Sequence, residues 1–410
     1  MWVLNWRVTV LASLALTAVG CGASGHSDSE AVPGVEYAAL AAQAVEIKGR
    51  LFLRRELWTK EEFDRIVDQG RADQDSSVPA VLAAQLRSHR TDADGNYYIE
   101  LEPNLELANA ILRGDGLQET PAGLPREERT IIGTDNRTLV GSPMSYPYTT
   151  IAFNESRGSG VRIGQSTLYT AAHVVYDTQS ANAWYCADGS TTANCNRPRW
   201  RFGVSGTSAF AGWTAYNCDG INIPTAFVNL TGTGNETNWS HWDFAVVDLA
   251  GCNAGNTGWL GTWILNDQDL LDVGAYSVGY PARATCPSGA NGDTGYNSGG
   301  SVRGTDCPGT GSWPGSTYQL NNTTAPYAGA KNWSAYTTDV YAGSAYTIRS
   351  SVDITHGDSG GPLYYFGGGN RRVIGVSSLA PQAYNVWNRW TGEVYNWFDT
   401  YASGFPEDTF

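Results

Sequence analysis

Late in the chain, Thr355-His356-Gly357-Asp358-Ser359-Gly360-Gly361-Pro362-Leu363 sets a serine in a turn built largely of glycine. A serine hydroxyl is a weak nucleophile until a neighbouring imidazole takes its proton. The imidazole in turn needs a carboxylate to fix its tautomer and stabilise its charged form. The chain carries candidates for both upstream. Leu168-Tyr169-Thr170-Ala171-Ala172-His173 ends a strand-like run on a histidine, and Trp242-Asp243-Phe244-Ala245-Val246-Val247-Asp248-Leu249 opens an apolar strand on an aspartate. A fold that uses this chemistry must bring three distant segments to one point. Ser359 is then the nucleophile, His173 the general base and later the general acid, and Asp243 the group that orients the ring. The amides of Gly357 and Ser359 are the candidate oxyanion hole. Gly360 and Gly361 let the backbone turn closely beside a substrate. A lone histidine at a strand end is usually a packed core residue, and an aspartate before a strand is usually a cap. The order of the three lifts them above those readings.

From Thr130 onward, apolar residues come in short runs at 149–153, 160–168, 244–249, 275–278, 363–366 and 373–377, punctuated by Gly, Asn and Pro. Repeated short strands with turn signals predict an all-β sandwich or barrel. Residues 36–115 read differently. Stretches 36–48 and 78–88 are alanine-rich, 59–70 opens on a Thr-Lys-Glu-Glu capping pattern, and 104–113 has helical spacing. A proline- and charge-rich linker follows at 121–129. The expectation is a partly helical propeptide with its linker over 36–130, ahead of a β domain over 131–410. A permanent accessory domain is the alternative. The tail 385–401, with Trp387, Trp390, Tyr395, Trp397, Phe398 and Tyr401, predicts a C-terminal helix packing its aromatics on the β domain, with a carbohydrate-binding stripe as the rival.

Residues 1–20 carry one arginine and then an apolar run too short to span a membrane, which predicts a signal peptide. The run ends Thr17-Ala18-Val19-Gly20-Cys21, similar to the lipobox of bacterial lipoproteins. Lipidation at Cys21 and ordinary secretory cleavage both fit, with 21–35 as a flexible tether. Of seven cysteines, setting Cys21 aside leaves six. Their connectivity is open to the sequence. Nearest-neighbour pairing (Cys186 with Cys195, Cys218 with Cys252, Cys286 with Cys307) is the expectation, in an oxidising extracytoplasmic compartment. Zinc-type cysteine spacing is absent, so no metal is expected. A net charge of −14 without a basic patch argues against nucleic acid as a partner. Membrane contact is expected only through a lipid anchor.

Beyond these motifs, Ile131-Ile132-Gly133-Thr134-Asp135-Asn136-Arg137-Thr138-Leu139-Val140, Tyr146-Pro147-Tyr148, Gly212-Trp213, Gly279-Tyr280-Pro281 and Asp353-Ile354-Thr355 extend the likeness. With them, residues 131–400 resemble the glutamyl endopeptidase family of bacterial trypsin-like serine peptidases. The resemblance implies two perpendicular six-stranded antiparallel β-barrels of the chymotrypsin-like type, with the triad in the cleft between them. It also implies no cofactor and activation by proteolysis.

The chain departs from the family's pattern in three places. Asp358 stands where many relatives have Asn or Gln. The strand 373–379 lacks the histidine on which glutamyl specificity leans. Val174 replaces the cysteine that often follows the catalytic histidine in animal relatives. Asp353, His356 and Ser377 are the candidate substrate-pocket residues. Asp353 sits where trypsin binds Arg or Lys, yet glutamyl-type relatives carry an aspartate there too, so the residue preferred before the cut is open. A buried Asp358 calls for a cation. Cleavage between Arg129 and Ile132 would expose the ammonium of Ile131 to meet it; a ready-made site with Asp358 hydrogen-bonded to local backbone is the alternative. The expectation is a secreted or lipid-anchored serine endopeptidase zymogen whose partners are polypeptide substrates and its own propeptide. The rivals are a catalytically silent binding protein of the same fold and a glycan-binding surface protein.

Overall fold

The computed structural model describes residues 41–55, 82, 85–92, 94–112, 137–154, 158–178, 183–186, 191, 197–204, 220–230, 236–250, 257–281, 295–296, 302–303, 333–354, 357–367, 369–379 and 384–403. The expected signal peptide, the tether with Cys21, the helix at 59–70, the linker with Ile131, His356, and Cys195, Cys218, Cys252, Cys286 and Cys307 lie outside them.

Four strands come from the N-terminal region: β1 (Val45–Ile47), β2 (Arg50–Arg54), β3 (Ser88–Thr91) and β4 (Tyr97–Glu100). The short β5 (Thr138–Leu139) follows. Then come β6 (Ile151–Asn154), β7 (Gly158–Arg162), β8 (Thr167–Thr170), the small pair β9 (Tyr176–Asp177) and β10 (Ala183–Trp184), β11 (Trp200–Phe202), β12 (Gly220–Pro224) and β13 (Ala245–Asp248). The expected run at 160–168 divides into β7 and β8, because Ile163 and Gly164 turn back on Thr167.

One antiparallel sheet runs β1-β2-β4-β3-β12-β13-β8-β7-β6-β11. Six of its strands lie in 151–248, and the N-terminal region extends them across the β3–β12 edge, where Ile221 faces Thr91 and Asn222 faces Arg90. Strands β6, β7, β8 and β13 are buried throughout. Phe153, Leu168, Tyr169, Phe244 and Val246 share a core with Trp397 and Phe398 of the C-terminal helix Gly392–Tyr401.

The second sheet draws on β14 (Gly261–Thr262), β15 (Ala275–Gly279), β18 (Trp333–Thr337), β19 (Val340–Ser344), β20 (Thr347–Ser350), β21 (Pro362–Gly367), β22 (Asn370–Leu379) and β23 (Asn385–Arg389). A separate hairpin, β16 (Gly295–Tyr296) with β17 (Val302–Arg303), stands apart. The order is β19-β20-β23-β22-β21-β15-β18-β5, with β14 alongside β22 in parallel. Leu270, Ala275, Ile348, Leu363, Ile374 and Trp387 form its own core. The described residues are therefore mainly β, in two large and chiefly antiparallel sheets with a C-terminal helix.

Two local expectations change. Residues 36–48 were expected to be helical, yet β1 and β2 form a hairpin there. Lys48 (φ +53) and Gly49 (φ +76) occupy its two-residue loop in the left-handed conformations such a loop demands. Within the described part of that stretch, the expected helix gives way to the strand Val45–Ile47. At the other end, Trp387 lies in β23 and the helix begins only at Gly392, capped by Thr391 Oγ1 accepting from the Val394 N–H. Trp387, Trp390, Trp397, Phe398 and Tyr401 are all buried, so they form core and not a sugar-binding stripe. The helix Leu105–Leu112 does form, and Asn104 Oδ1 caps it by accepting from the Leu107 N–H at 3.0 Å.

Polar groups tie the N-terminal strands to the β domain. Lys48 pairs with the buried Asp248 and donates to the Tyr401 carbonyl at 2.8 Å. Glu100 is fully buried and accepts from Arg50, from the Ser88 N–H at 2.9 Å and from the Tyr401 hydroxyl at 2.7 Å. Burial raises its carboxyl pKa, and Arg50 and these hydrogen bonds only partly oppose that.

Candidate active site

Strand pairing places the first two candidate residues. β8 faces β13 with Thr170 opposite Ala245, so the residues leaving β8 meet those entering β13. After Ala171 the chain makes a tight turn at Ala172–Val174, which presents His173. Asp243 sits between the helix Glu236–Trp242 and β13, fully buried. Its Oδ1 accepts from the His173 backbone N–H at 2.9 Å, and its Oδ2 lies 2.7 Å from His173 Nδ1. One carboxylate thus fixes both the backbone and the ring of His173 and holds Nδ1, so that Nε2 is the nitrogen that takes up a proton. The Ser378 hydroxyl donates to the same Oδ2 at 2.6 Å. Burial pushes the Asp243 carboxyl up, but the charge and hydrogen bonds of His173 and the Ser378 hydroxyl together hold it below the ordinary aspartate value.

Ser359 stands in the turn before β21, 5 % exposed. Its loop is pinned from two strands. On β7, the Ser159 N–H donates to the Ser359 carbonyl at 2.7 Å, and the Ser159 hydroxyl donates to the Gly357 carbonyl at 2.8 Å. That hydroxyl also accepts from the Tyr280 N–H at 2.8 Å, just beyond β15. On β22, Ser377 accepts from the Gly360 N–H at 2.9 Å and donates its own N–H to Gly361 at 2.8 Å. Gly357 (φ +92) and Gly360 (φ +73) take conformations that side chains disfavour. A Cβ at Gly360 would collide with Thr170 Oγ1 and the Ser159 carbonyl. At Gly158 a Cβ would lie 2.8 Å from the Ser359 carbonyl and 2.9 Å from Val174 Cγ2. The serine turn and the histidine turn therefore press on the same glycine of β7.

Asp353 is 2 % exposed, just downstream of Val352, whose carbonyl accepts from the Asn385 side chain at 2.7 Å. Ser377 is fully buried beside the serine turn, and its hydroxyl has no hydrogen-bond partner. Asp358 is 4 % exposed, and Oδ2 lies 3.6 Å from Arg137 Nη1. The cation facing Asp358 in this uncut chain is thus a guanidinium that the sequence reading had not considered. Ser159 and Ser378 were missed as well. Cys186 is buried and disulfide-bonded. Among the described residues, no group of three His, Cys, Asp or Glu side chains could hold a metal, and no helix is long and apolar enough to cross a membrane.

No family model matches the chain. A glutamyl endopeptidase from Bacillus licheniformis is 28 % identical over 151 residues, 35 % of this chain and 46 % of the relative. The chain thus spans less than half the length of that curated relative. A solved structure of a Glu endopeptidase in complex with MPD matches 66 % of this chain and 97 % of its own, at 18 % identity and a TM-score of 0.43.

Proposed function

We propose that the chain is a serine endopeptidase that hydrolyses peptide bonds through an acyl-enzyme. The observation that supports it best is the double hold of Asp243 on His173, with the Ser359 turn packed against the histidine turn through Gly158. Ser359 Oγ attacks the scissile carbonyl while His173 Nε2 takes its proton. The amides of Gly357 and Ser359 hold the oxyanion, and protonated His173 then gives its proton to the leaving amine. Water repeats the sequence to release the acid. Asp243 stays ionised throughout, consistent with its lowered pKa. Asp353, Ser377 and His356 are the residues assigned to recognising the residue before the cut. The protein works outside the cytoplasm after loss of residues 1–20, with Cys21 as its lipid anchor and the six remaining cysteines in disulfides.

Cleavage of a peptide library by the purified protein tests the reading and reports the preferred residue together. Ser359→Ala and His173→Ala should each remove several powers of ten of turnover, and the double variant little more, because the residues act as one unit. Near-normal turnover in either single variant overturns that residue's role.

A further inference from the structure

The mechanism above needs the Gly357 amide held in place, and zymogens of this type are expected to gain that order from a newly cut N-terminus. Among the described residues, the uncut chain already supplies restraints on this loop. Asp358 and Arg137 are both buried, with side chains 6 % and 2 % exposed, and face each other at 3.6 Å. A buried carboxylate is costly without a cation, and a buried guanidinium equally so without an anion. Asp358 also has little room to swing away, because a Cβ at Gly279 would stand 2.5 Å from its Oδ1 and 3.0 Å from its Cα. The Ser159 hydroxyl holds the Gly357 carbonyl at 2.8 Å, and the Gly361 N–H holds the Asp358 carbonyl at 2.8 Å. Arg137 immediately precedes β5, which is paired with β18 through Thr138–Ser334 and Leu139–Trp333. Cleavage between Arg129 and Ile132 would leave that anchorage untouched.

We propose that Arg137 is a positioning residue, the built-in counter-ion of Asp358, and that with Ser159 it sets the oxyanion loop before any cleavage of the chain. This rests on the serine endopeptidase reading. It replaces the Ile131 ammonium as the cation and removes charge insertion as the activating event. Whatever a cut in the linker does, it does not build the oxyanion hole.

The pH dependence separates the two cations. An α-ammonium loses its proton near about pH 8, whereas a guanidinium keeps its charge beyond about pH 12. The experiment uses the full chain carrying Arg129→Gln, checked by mass to be uncut at 129–132, beside the cut wild-type protein. The uncut chain should show kcat within a few-fold of the cut one, with no alkaline loss between about pH 8 and 10. Arg137→Met should lower kcat by about 10²–10³-fold, the scale of losing one oxyanion donor, with a smaller change in KM. Arg137→Lys should recover part of that loss. If Arg137→Met does not fold, the comparison of cut with uncut protein and the alkaline profile still decide. An uncut chain without turnover beside an active cut one, or a kcat of the cut enzyme that is lost between about pH 8 and 10, overturns the inference while leaving the endopeptidase reading intact. A protein inactive in both forms refutes the reading on which it rests.

Discussion

Replacing Gly158 by alanine adds one methyl group at the place where the serine and histidine turns meet. That methyl would lie 2.8 Å from the Ser359 carbonyl, 2.9 Å from Val174 Cγ2 and 3.1 Å from Val174 Cγ1. Comfortable carbon contacts are about 3.5–4.0 Å, so relief takes a displacement of roughly 0.5–1 Å shared between the two turns. Neither side yields easily. One obstacle is backbone, and the other is a β-branched side chain next to His173, buried in the core. Overpacking of this kind costs about 1–3 kcal/mol. A misplacement of about 1 Å between reacting groups costs about 10²-fold in rate. Gly158→Ala should therefore lose about 10² in kcat while the thermal midpoint falls by only several degrees. Gly141→Ala is the control, since nothing lies within 4 Å of that position. The assay is kcat on a cleaved peptide, paired with circular dichroism melts of both variants. A folded Gly158→Ala protein with wild-type kcat would refute the claim that β7 sets the spacing of the two turns.

Ser378→Ala removes a hydrogen bond to a buried carboxylate, a type worth about 1.5–3 kcal/mol, and should raise the Asp243 pKa. Because the native value is lowered, the stability due to Asp243 is complete above the unfolded value of about 3.9 and disappears as pH falls through the native value. Melts from pH 2 to 6 should show a smaller acid-dependent loss in Ser378→Ala than in wild type, and equal losses would remove Ser378 from the account. Asp243→Asn should fold yet lose about 10⁴-fold in turnover, from the wrong imidazole tautomer, as initial rates on the same peptide would show. Limited proteolysis in the 121–129 linker should leave residues 41–112 co-eluting with the β domain in size-exclusion chromatography, held by the β3–β12 pairing and Lys48; a freely released fragment would show that these contacts are weak.

The glycine turn around Ser359 and the strand beginning at Asp243 were legible because each is a local pattern with its chemistry written into neighbouring residues. The apolar runs that became β6, β7 and β8, β13, β15, β21 and β22 were legible because turn residues bound them, whereas β11, β12, β18, β19, β20 and β23 were not. Ser159, Ser378 and Arg137 carry no such mark. Each matters through a partner that pairing delivers: β7 against the serine turn, β22 against Asp243, and the residue before β5 against Asp358. The N-terminal strands were illegible for a different reason. Ser88-His89-Arg90-Thr91 has no apolar residue, yet it is buried as β3. Its polar groups are met by Glu100 at the Ser88 N–H, Tyr97 at His89, Asn222 at the Ser88 hydroxyl and Arg197 at the Thr91 hydroxyl. Hydrophobic periodicity cannot see a strand stabilised in that way.

The central claim is that Ser359 is a nucleophile activated by His173. Titration with an organophosphonate ester, followed by peptide mapping, tests it most directly, because covalent capture needs no knowledge of the natural substrate. The account predicts one adduct per chain, located on Ser359, and none in His173→Ala under the same conditions. A folded wild-type protein left unlabelled, or labelled at another residue, would contradict it.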